Sequence, residues 1–147
     1  SLRMAEQLLP DGKVFAVDVQ DEMLERLKAN CERFGIRNIE PVKGTQYKTG
    51  LKPCSVDIAI MVDVYHEFEF PHEMMTDIAK AMKPGGRVVL VEYRKEDPTV
   101  PIKEVHKMSQ LQAKKEVEQA EFGLRWTETI HVLPRQHILI FTKSWIE

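Results

Sequence analysis

The feature that most limits the possible folds is an alternation of short apolar runs with longer amphipathic stretches. Two segments, Val56–Val62 and residues 87–93, contain apolar side chains at four or more consecutive positions, 58–62 and 88–91, as strands do when helices cover both faces of a parallel sheet. An amphipathic stretch that begins at Pro71 and ends at the turn 83–86 separates them. Elements in this order predict an α/β fold, a three-layer sandwich with a mainly parallel, Rossmann-like sheet.

The rest of the chain extends the alternation. A helix is predicted at 2–9. A second helix is predicted from its cap, Asp21, to a stop at Gly35, and its apolar face consists of Met23, Leu24, Leu27, Cys31 and Phe34. A third is predicted from Ser109, which can form a capping box with Gln112, through Phe122. Strands are predicted at 14–17 and, more weakly, at 38–42. Two further strands, 124–132 and 136–142, are joined by only three residues. So short a link requires antiparallel pairing, and the sheet is therefore expected to end in an antiparallel hairpin.

Length and charge narrow the class of partner. The 147 residues fit one domain, and the formal net charge is −2, so nothing favours a nucleic acid or an anionic membrane as main partner. No apolar run approaches the roughly 18 residues of a membrane span. Cys31 and Cys54 match no metal or redox spacing and are expected to be reduced thiols. A cytoplasmic protein without a membrane span is predicted.

Ligands of such folds bind beyond the carboxyl ends of the strands. Asp18 follows the first predicted strand, where a carboxylate can accept hydrogen bonds from both hydroxyls of a ribose; a turn or N-cap acid is the other interpretation. The second strand is followed by Lys43, Gly44, Thr45 and Gln46. These residues could approach an adenine ring or form an ordinary polar loop.

The third strand is followed by the densest group of titratable and aromatic side chains, residues 63–70. His66 and Glu67 are candidates for a general base or a substrate anchor, and a packed or capping histidine is the alternative. A metal site from Asp63, His66 and His72 is less favoured because the spacing matches no zinc motif, so no metal is predicted. His106 is a minor candidate in the connection that could cover the pocket. His131 and His137, in the terminal hairpin, are expected to be solvated or to make cross-strand contacts.

The segments VFAVDVQDEMLERLKAN, SVDIAIMVDVYHEF and IAKAMKPGGRVVLVEY, with the terminal hairpin, resemble the class I S-adenosylmethionine-dependent methyltransferases. The ubiquinone/menaquinone methyltransferase branch is the most similar one. The resemblance implies a single methyltransferase domain over residues 1–147 and S-adenosylmethionine as cofactor. It also implies site roles: the ribose hydroxyls bind Asp18, the adenine contacts Val19, Gly44, Thr45 and Gln46, the methionine half borders Met61 and Val62, and the substrate faces His66.

One departure from the family is large. The glycine-rich turn that cradles the amino-acid part of the cofactor, and the first strand before it, are expected ahead of Ser1 and do not occur in these 147 residues. Either an N-terminal segment precedes this sequence, or the gap is closed by sheet rearrangement, homo-oligomerisation or strand exchange with a second copy. Methyl transfer to a small-molecule acceptor is therefore predicted to be impaired in this chain. A non-catalytic fragment or scaffold is the alternative function.

Overall fold

The computed structural model describes residues 1–145. The chain divides into two compact units, Ser1–Leu51 and Lys52–Glu147, and each has a sheet of its own. The first unit contains α1 (Leu2–Gln7), β1 (Val14–Asp18), α2 (Asp21–Phe34) and β2 (Ile39–Lys43). The second contains β3 (Val56–Val62), α3 (Pro71–Ala81), β4 (Met82–Arg94), β5 (Lys107–Met108), α4 (Gln110–Val117), β6 (Leu124–Ile130) and β7 (Gln136–Lys143). The single domain expected over 1–147 stays a prediction.

The first unit is a βαβ arrangement whose two strands are parallel. β1 and β2 pair in register from Val14 opposite Ile39 to Asp18 opposite Lys43. The side-chain amide of Asn38 donates to the carbonyls of Ala5 and Gly12 at 2.7 and 3.0 Å, and so ties α1 to the strands. Because the pairing is parallel, the carboxyl ends of both strands lie at one edge.

Helix α2 matches its predicted length but not its whole predicted apolar face. It ends at Gly35, whose φ of 66° is the left-handed conformation that glycine favours at a C-terminus. Leu24 and Cys31 are buried, whereas Met23 and Phe34 are 45% and 60% exposed. The two strands in contact with α2 form a sheet too narrow to cover the full stripe. The predicted cap, Asp21, is instead the first helical residue.

The second unit holds a mixed sheet in the order β3-β4-β7-β6, with β5 paired to β4. β3 and β5 run parallel to β4, and β7 runs antiparallel to both β4 and β6. The α/β class and the C-terminal antiparallel hairpin are therefore confirmed. The sheet is more mixed than the expected mainly parallel one, because two of its four strand pairings, β4 with β7 and β7 with β6, are antiparallel.

Strand β4 includes the turn that the sequence predicted before it. Between the pairs Val56–Met82 and Ile58–Arg87, β3 advances two residues while β4 advances five. Residues 83–86 therefore bulge out of the ladder. Gly85 has φ 75°, and a Cβ on Gly86 would lie 2.9 Å from the carbonyl oxygen of Lys83. The glycine pair permits this close return of the chain.

One face of the mixed sheet carries the core of the second unit. Helices α3 and α4 pack there, and the largest buried side chains include Met75, Leu90, Phe122, Leu139 and Phe141. The helix predicted through Phe122 ends at Val117, and a 3₁₀ turn, Ala120–Phe122, inserts Phe122 into this core. None of the helices described in residues 1–145 combines the length and apolarity that crossing a bilayer requires.

The cap of α4 provides a stability test. The Ser109 hydroxyl accepts a hydrogen bond from the Gln112 backbone amide at 3.1 Å, which is one half of the predicted capping box, whereas the Gln112 side chain donates to Glu116 at 2.9 Å. Ser109→Ala should lower the free energy of unfolding by about 1 kcal/mol, measured by urea titration with Trp126 fluorescence. Leu111→Ala, at a side chain 64% exposed on the same helix, should change it by less than about 0.5 kcal/mol. Equal losses in the two variants would contradict the capping role.

Candidate functional site

Polar groups gather in the first unit at the edge where β1 and β2 end. The Gly44 amide donates to the Asp18 carbonyl at 2.9 Å, and the Lys43 ammonium donates to the Val19 carbonyl at 2.7 Å. Lys43 also pairs with Asp21 at 2.7 Å. The structure thus brings together Asp18, Val19 and Gly44, as the strand-end argument predicted.

Of the two roles that the sequence left open for the Asp18 carboxylate, the structure shows the turn role, and the ribose role stays a prediction. Its Oδ1 accepts from the Gln20 amide at 2.8 Å, which is the turn role. No hydrogen bond to its Oδ2 occurs among residues 1–145, so that oxygen remains an available acceptor. The next side chain, Val19, is 47% exposed and gives an apolar surface beside this acceptor.

The loop after β2 is shaped by a tight turn. A Cβ on Gly44 would lie 3.1 Å from both Val17 Cγ1 and the Lys48 carbonyl oxygen, so a larger residue would crowd the strand end. The Thr45 hydroxyl accepts from the amides of Tyr47 and Lys48 at 3.2 and 3.1 Å. Its acceptor capacity therefore serves the turn, and only its O–H proton is left for a ligand. Gln46 is exposed.

In the second unit, β3 ends in an unusual backbone conformation. Met61 is buried in the core, and Val62 is 51% exposed. Asp63 follows with φ 51°, a left-handed conformation uncommon for a residue with a side chain. Its Oδ2 accepts from Gln136 Nε2 at 2.6 Å, and its Oδ1 is buried without a partner among the described residues. Strain and an unsatisfied acceptor coincide at this strand end, as they do at functional sites.

A buried carboxylate positions the candidate base. Glu92 on β4 is 0% exposed, and its Oε1 accepts from the Tyr65 amide at 3.1 Å. Its Oε2 lies 2.6 Å from His66 Nδ1, and the His66 side chain is 7% exposed. Burial raises the pKa of the Glu92 carboxyl, the hydrogen bond and charge of His66 oppose this, and Asp63 adds to it.

The hydrogen bonds of Glu92 determine which His66 nitrogen remains available. Both oxygens of the ionised carboxylate act as acceptors, so we assign the His66 proton to Nδ1. The lone pair of the neutral ring then lies on Nε2, where it accepts a hydrogen bond from Nδ1–H of the exposed His106 at 3.3 Å. His66 is thus a packed histidine, as the alternative interpretation proposed, and also one with an oriented basic nitrogen.

His66 also lines a cavity of about 350 Å³ with a mixed polar lining. Burial and a hydrogen bond to Glu116 raise the pKa of Tyr65, so its phenol stays protonated at neutral pH. The Lys107 side chain is only 2% exposed, and its ammonium pairs with Glu104 at 2.8 Å. The other lining residues are Phe68, Pro71, Lys95, Val105, Met108 and Gln112.

Two of the three residues that the sequence analysis considered for a metal site, Asp63 and His72, bind other partners. Asp63 bonds Gln136, and exposed His72 pairs with Glu121 at 2.9 Å. Among residues 1–145, the one group of three or more potential ligands is His66, Glu67 and His106, whose ligand atoms lie within 4.8 Å of one another. Glu67 and His106 are exposed.

Two buried polar side chains, Glu92 and His137, were not predicted from the sequence. Glu92 was read only as part of a strong strand, although an acid inside the apolar run VVLVEY is itself a signal of a buried partner. His137 was expected to be solvated or cross-strand in the hairpin, but it is 1% exposed. Its Nε2 donates to the carbonyl of Met108 on β5 at 3.0 Å, so the buried imidazole has a hydrogen-bond partner.

Comparison with known proteins identifies similar sequences. A family model described as a methyltransferase domain matches residues 1–136. A demethylmenaquinone methyltransferase of Lactococcus lactis is 30% identical over 99 residues, which cover 67% of this chain and 38% of that protein. This chain therefore spans well under half the length of that curated relative.

Solved structures show the same fold at low identity. A SAM-dependent methyltransferase from Aquifex aeolicus aligns with TM-score 0.87 and 21% identity, covering 97% of this chain and 75% of that one. The [4+2]-cyclase SpnF aligns with TM-score 0.81 and 12% identity, covering 97% of this chain and 69% of that one. At these identities the comparisons establish the fold and leave the reaction open.

The buried imidazole of His137 predicts a pH dependence of stability. Burial lowers its pKa, against a smaller opposing effect of Glu96. Below about pH 6.5, the ordinary histidine pKa, the unfolded chain binds a proton that the folded one resists. The free energy of unfolding should therefore decrease as the pH is lowered below about 6.5, at a rate approaching about 1.4 kcal/mol per pH unit.

The matched variant is His137→Gln, because glutamine can still donate to the Met108 carbonyl but does not titrate. Urea titrations between pH 7 and pH 5 should give this variant a shallower loss of stability than the wild type. His131→Gln, at an exposed histidine of the same hairpin, should keep the wild-type slope. A His137→Gln slope equal to the wild-type slope would refute the assignment.

Proposed function

The chain belongs to the methyltransferase-domain family, and from this premise we propose that it binds S-adenosylmethionine and methylates a small-molecule acceptor. The observation that carries the proposal is the family match over residues 1–136. The His66–Glu92 pair beside a cavity supports it, because methyl transfer to an acidic acceptor needs an oriented base. The fold alone would not suffice, since a structure named a cyclase shares it.

The first-unit edge fits the adenosine part of the cofactor. Asp18 Oδ2 is an available acceptor for a ribose hydroxyl, and the exposed Val19 offers an apolar contact for adenine. Gly44 permits the tight turn at the strand end, where a Cβ would crowd Val17 and the Lys48 carbonyl, and the Thr45 hydroxyl and Gln46 amide beside it could meet the polar edge of an adenine ring. The roles of Met61 and Val62 in bordering the methionine half remain proposals.

When bound, S-adenosylmethionine supplies a methyl group on a sulfonium that leaves as a neutral thioether. His66 accepts the acceptor's proton at Nε2 as the acceptor forms its bond to the methyl carbon. Glu92 holds the opposite ring nitrogen and stabilises the imidazolium that results. Glu67 is the second candidate for this proton transfer, and its exposure means that it is less well oriented than His66.

The acceptor class is proposed from the relative and from the cavity. A curated relative is named for a demethylated menaquinone, and a reduced quinone is a phenol whose proton must be removed. The cavity combines aromatic walls at Tyr65 and Phe68 with His66, whose ring is oriented by Glu92, which suits an aromatic acceptor with a proton to lose. Aromatic quinols are therefore the first acceptors to test. Cytoplasmic location and assembly with a second copy remain proposals as well.

Cofactor binding is tested by calorimetric titration of S-adenosylhomocysteine into the full chain. Asp18→Asn should weaken binding about 10- to 100-fold, the value of a hydrogen bond to a charged group. Asp11→Asn changes the same residue type at an exposed position before the start of β1 and should bind like the wild type. No heat from the wild type would overturn the proposal in favour of a scaffold, and unchanged binding by Asp18→Asn would overturn the ribose role.

The base is tested by methyl transfer to a soluble quinol, measured as S-adenosylhomocysteine formed. His66→Gln should lower kcat about 10²- to 10⁴-fold while S-adenosylhomocysteine still binds. Glu67→Gln should have a smaller effect, and His72→Gln, outside the cavity lining, should have none. A His66→Gln enzyme with wild-type kcat would remove His66 from the mechanism.

A further inference from the structure

We propose that His66, Glu67 and His106 form a binding site for a divalent zinc ion. The three side chains come from two segments of the second unit: residues 65–67, a 3₁₀ turn after β3, and residues 104–106, a second 3₁₀ turn before β5. Two imidazole nitrogens and one carboxylate oxygen are a ligand set of catalytic zinc sites, in which water takes the fourth position.

The distance between the two imidazoles matches a shared ion. His66 Nε2 and His106 Nδ1 lie 3.3 Å apart. Two nitrogens bound tetrahedrally to Zn²⁺ at 2.0–2.1 Å are separated by about 3.3 Å. The rings meet at an interplanar angle of 74°, so they are not stacked, and the contact joins nitrogen to nitrogen.

The carboxylate ligand is free to join them. No hydrogen bond or ion pair involves the Glu67 carboxylate among residues 1–145, and its exposure lets a rotamer change bring an oxygen to the ion. Its negative charge would offset part of the charge of Zn²⁺. Because His106 is also exposed, the fourth position opens to solvent.

A second observation that supports a metal site is the buried hydrogen-bond partner of His66, the Glu92 carboxylate. Zinc-binding histidines commonly donate their other ring nitrogen to a carboxylate, which fixes the tautomer and increases the basicity of the ligand. Glu92 occupies this place at 2.6 Å from Nδ1 and is itself held by the Tyr65 amide. The available lone pair on His66 is consequently directed at His106.

An ion at this site would use the same Nε2 lone pair that the proposed methyl transfer assigns to the base. Zinc would therefore inhibit turnover that depends on His66. The zinc site does not require the chain to bind cofactor, so the two proposals can fail separately.

The test is calorimetric titration of ZnCl₂ into the cofactor-free full chain, with Co²⁺ absorption as a second readout. The wild type should bind one ion per chain and give the intense visible bands of four-coordinate Co²⁺. His106→Ala, at an exposed position expected to fold normally, should weaken binding at least about 100-fold, and Glu67→Gln should weaken it less. His72→Ala removes a histidine from an exposed His–Glu pair outside the cluster and should bind like the wild type.

The Glu92→Gln variant distinguishes a zinc site from a simple hydrogen bond between His66 and His106. The glutamine oxygen would still accept from the Tyr65 amide, and its amide would face His66 Nδ1, which moves the ring proton to Nε2. Zinc affinity should fall about 10- to 100-fold, and nitrogen NMR should report the changed tautomer. Absence of saturable one-to-one binding by the wild type, or His106→Ala binding as tightly as the wild type, would overturn the proposal.

Discussion

The second unit is organised around one buried carboxylate. Glu92 lies in the middle of the sheet with no exposed surface, so its charge has to be compensated by hydrogen bonds. Both of its oxygens reach the segment after β3: one accepts from the Tyr65 amide, the other from His66. A single side chain therefore fixes the backbone of the 3₁₀ turn, the tautomer of the histidine and the direction of its free nitrogen.

Glu92 orients His66 but lowers the stability of the fold. Burial of Glu92 raises its pKa and costs stability, and Asp63 nearby increases that cost. Apolar residues at this position would pack more favourably. The neighbouring residues of the strand are mostly apolar. A buried acid at this position lowers stability, and its presence therefore indicates that Glu92 serves to orient His66. The left-handed backbone of Asp63 is a second cost at the same strand end.

The sequence predicted the elements well because their signals are local. Gly35 ends α2, Ser109 caps α4, and the short link of five residues between β6 and β7 leaves only an antiparallel hairpin. It predicted less of the site because the site's contacts are long-range. Glu92 and His66 are separated by 26 positions and His106 and His66 by 40, and neither periodicity nor spacing encodes such pairs. The exposed Phe34 likewise depends on what the sheet beneath α2 can cover.

The chemistry available to His66 follows from its surroundings more than from its identity. An imidazole with one nitrogen held by a carboxylate has one lone pair left, and that lone pair can accept a proton or bind a metal ion, but not both at once. His106 at 3.3 Å favours the ion, whereas the cavity beside His66 favours an acceptor with a proton to lose. His106 is exposed on a 3₁₀ turn, and Glu92 is rigid in the sheet. Which chemistry occurs thus depends on the exposed partner, His106, while the buried partner, Glu92, serves both.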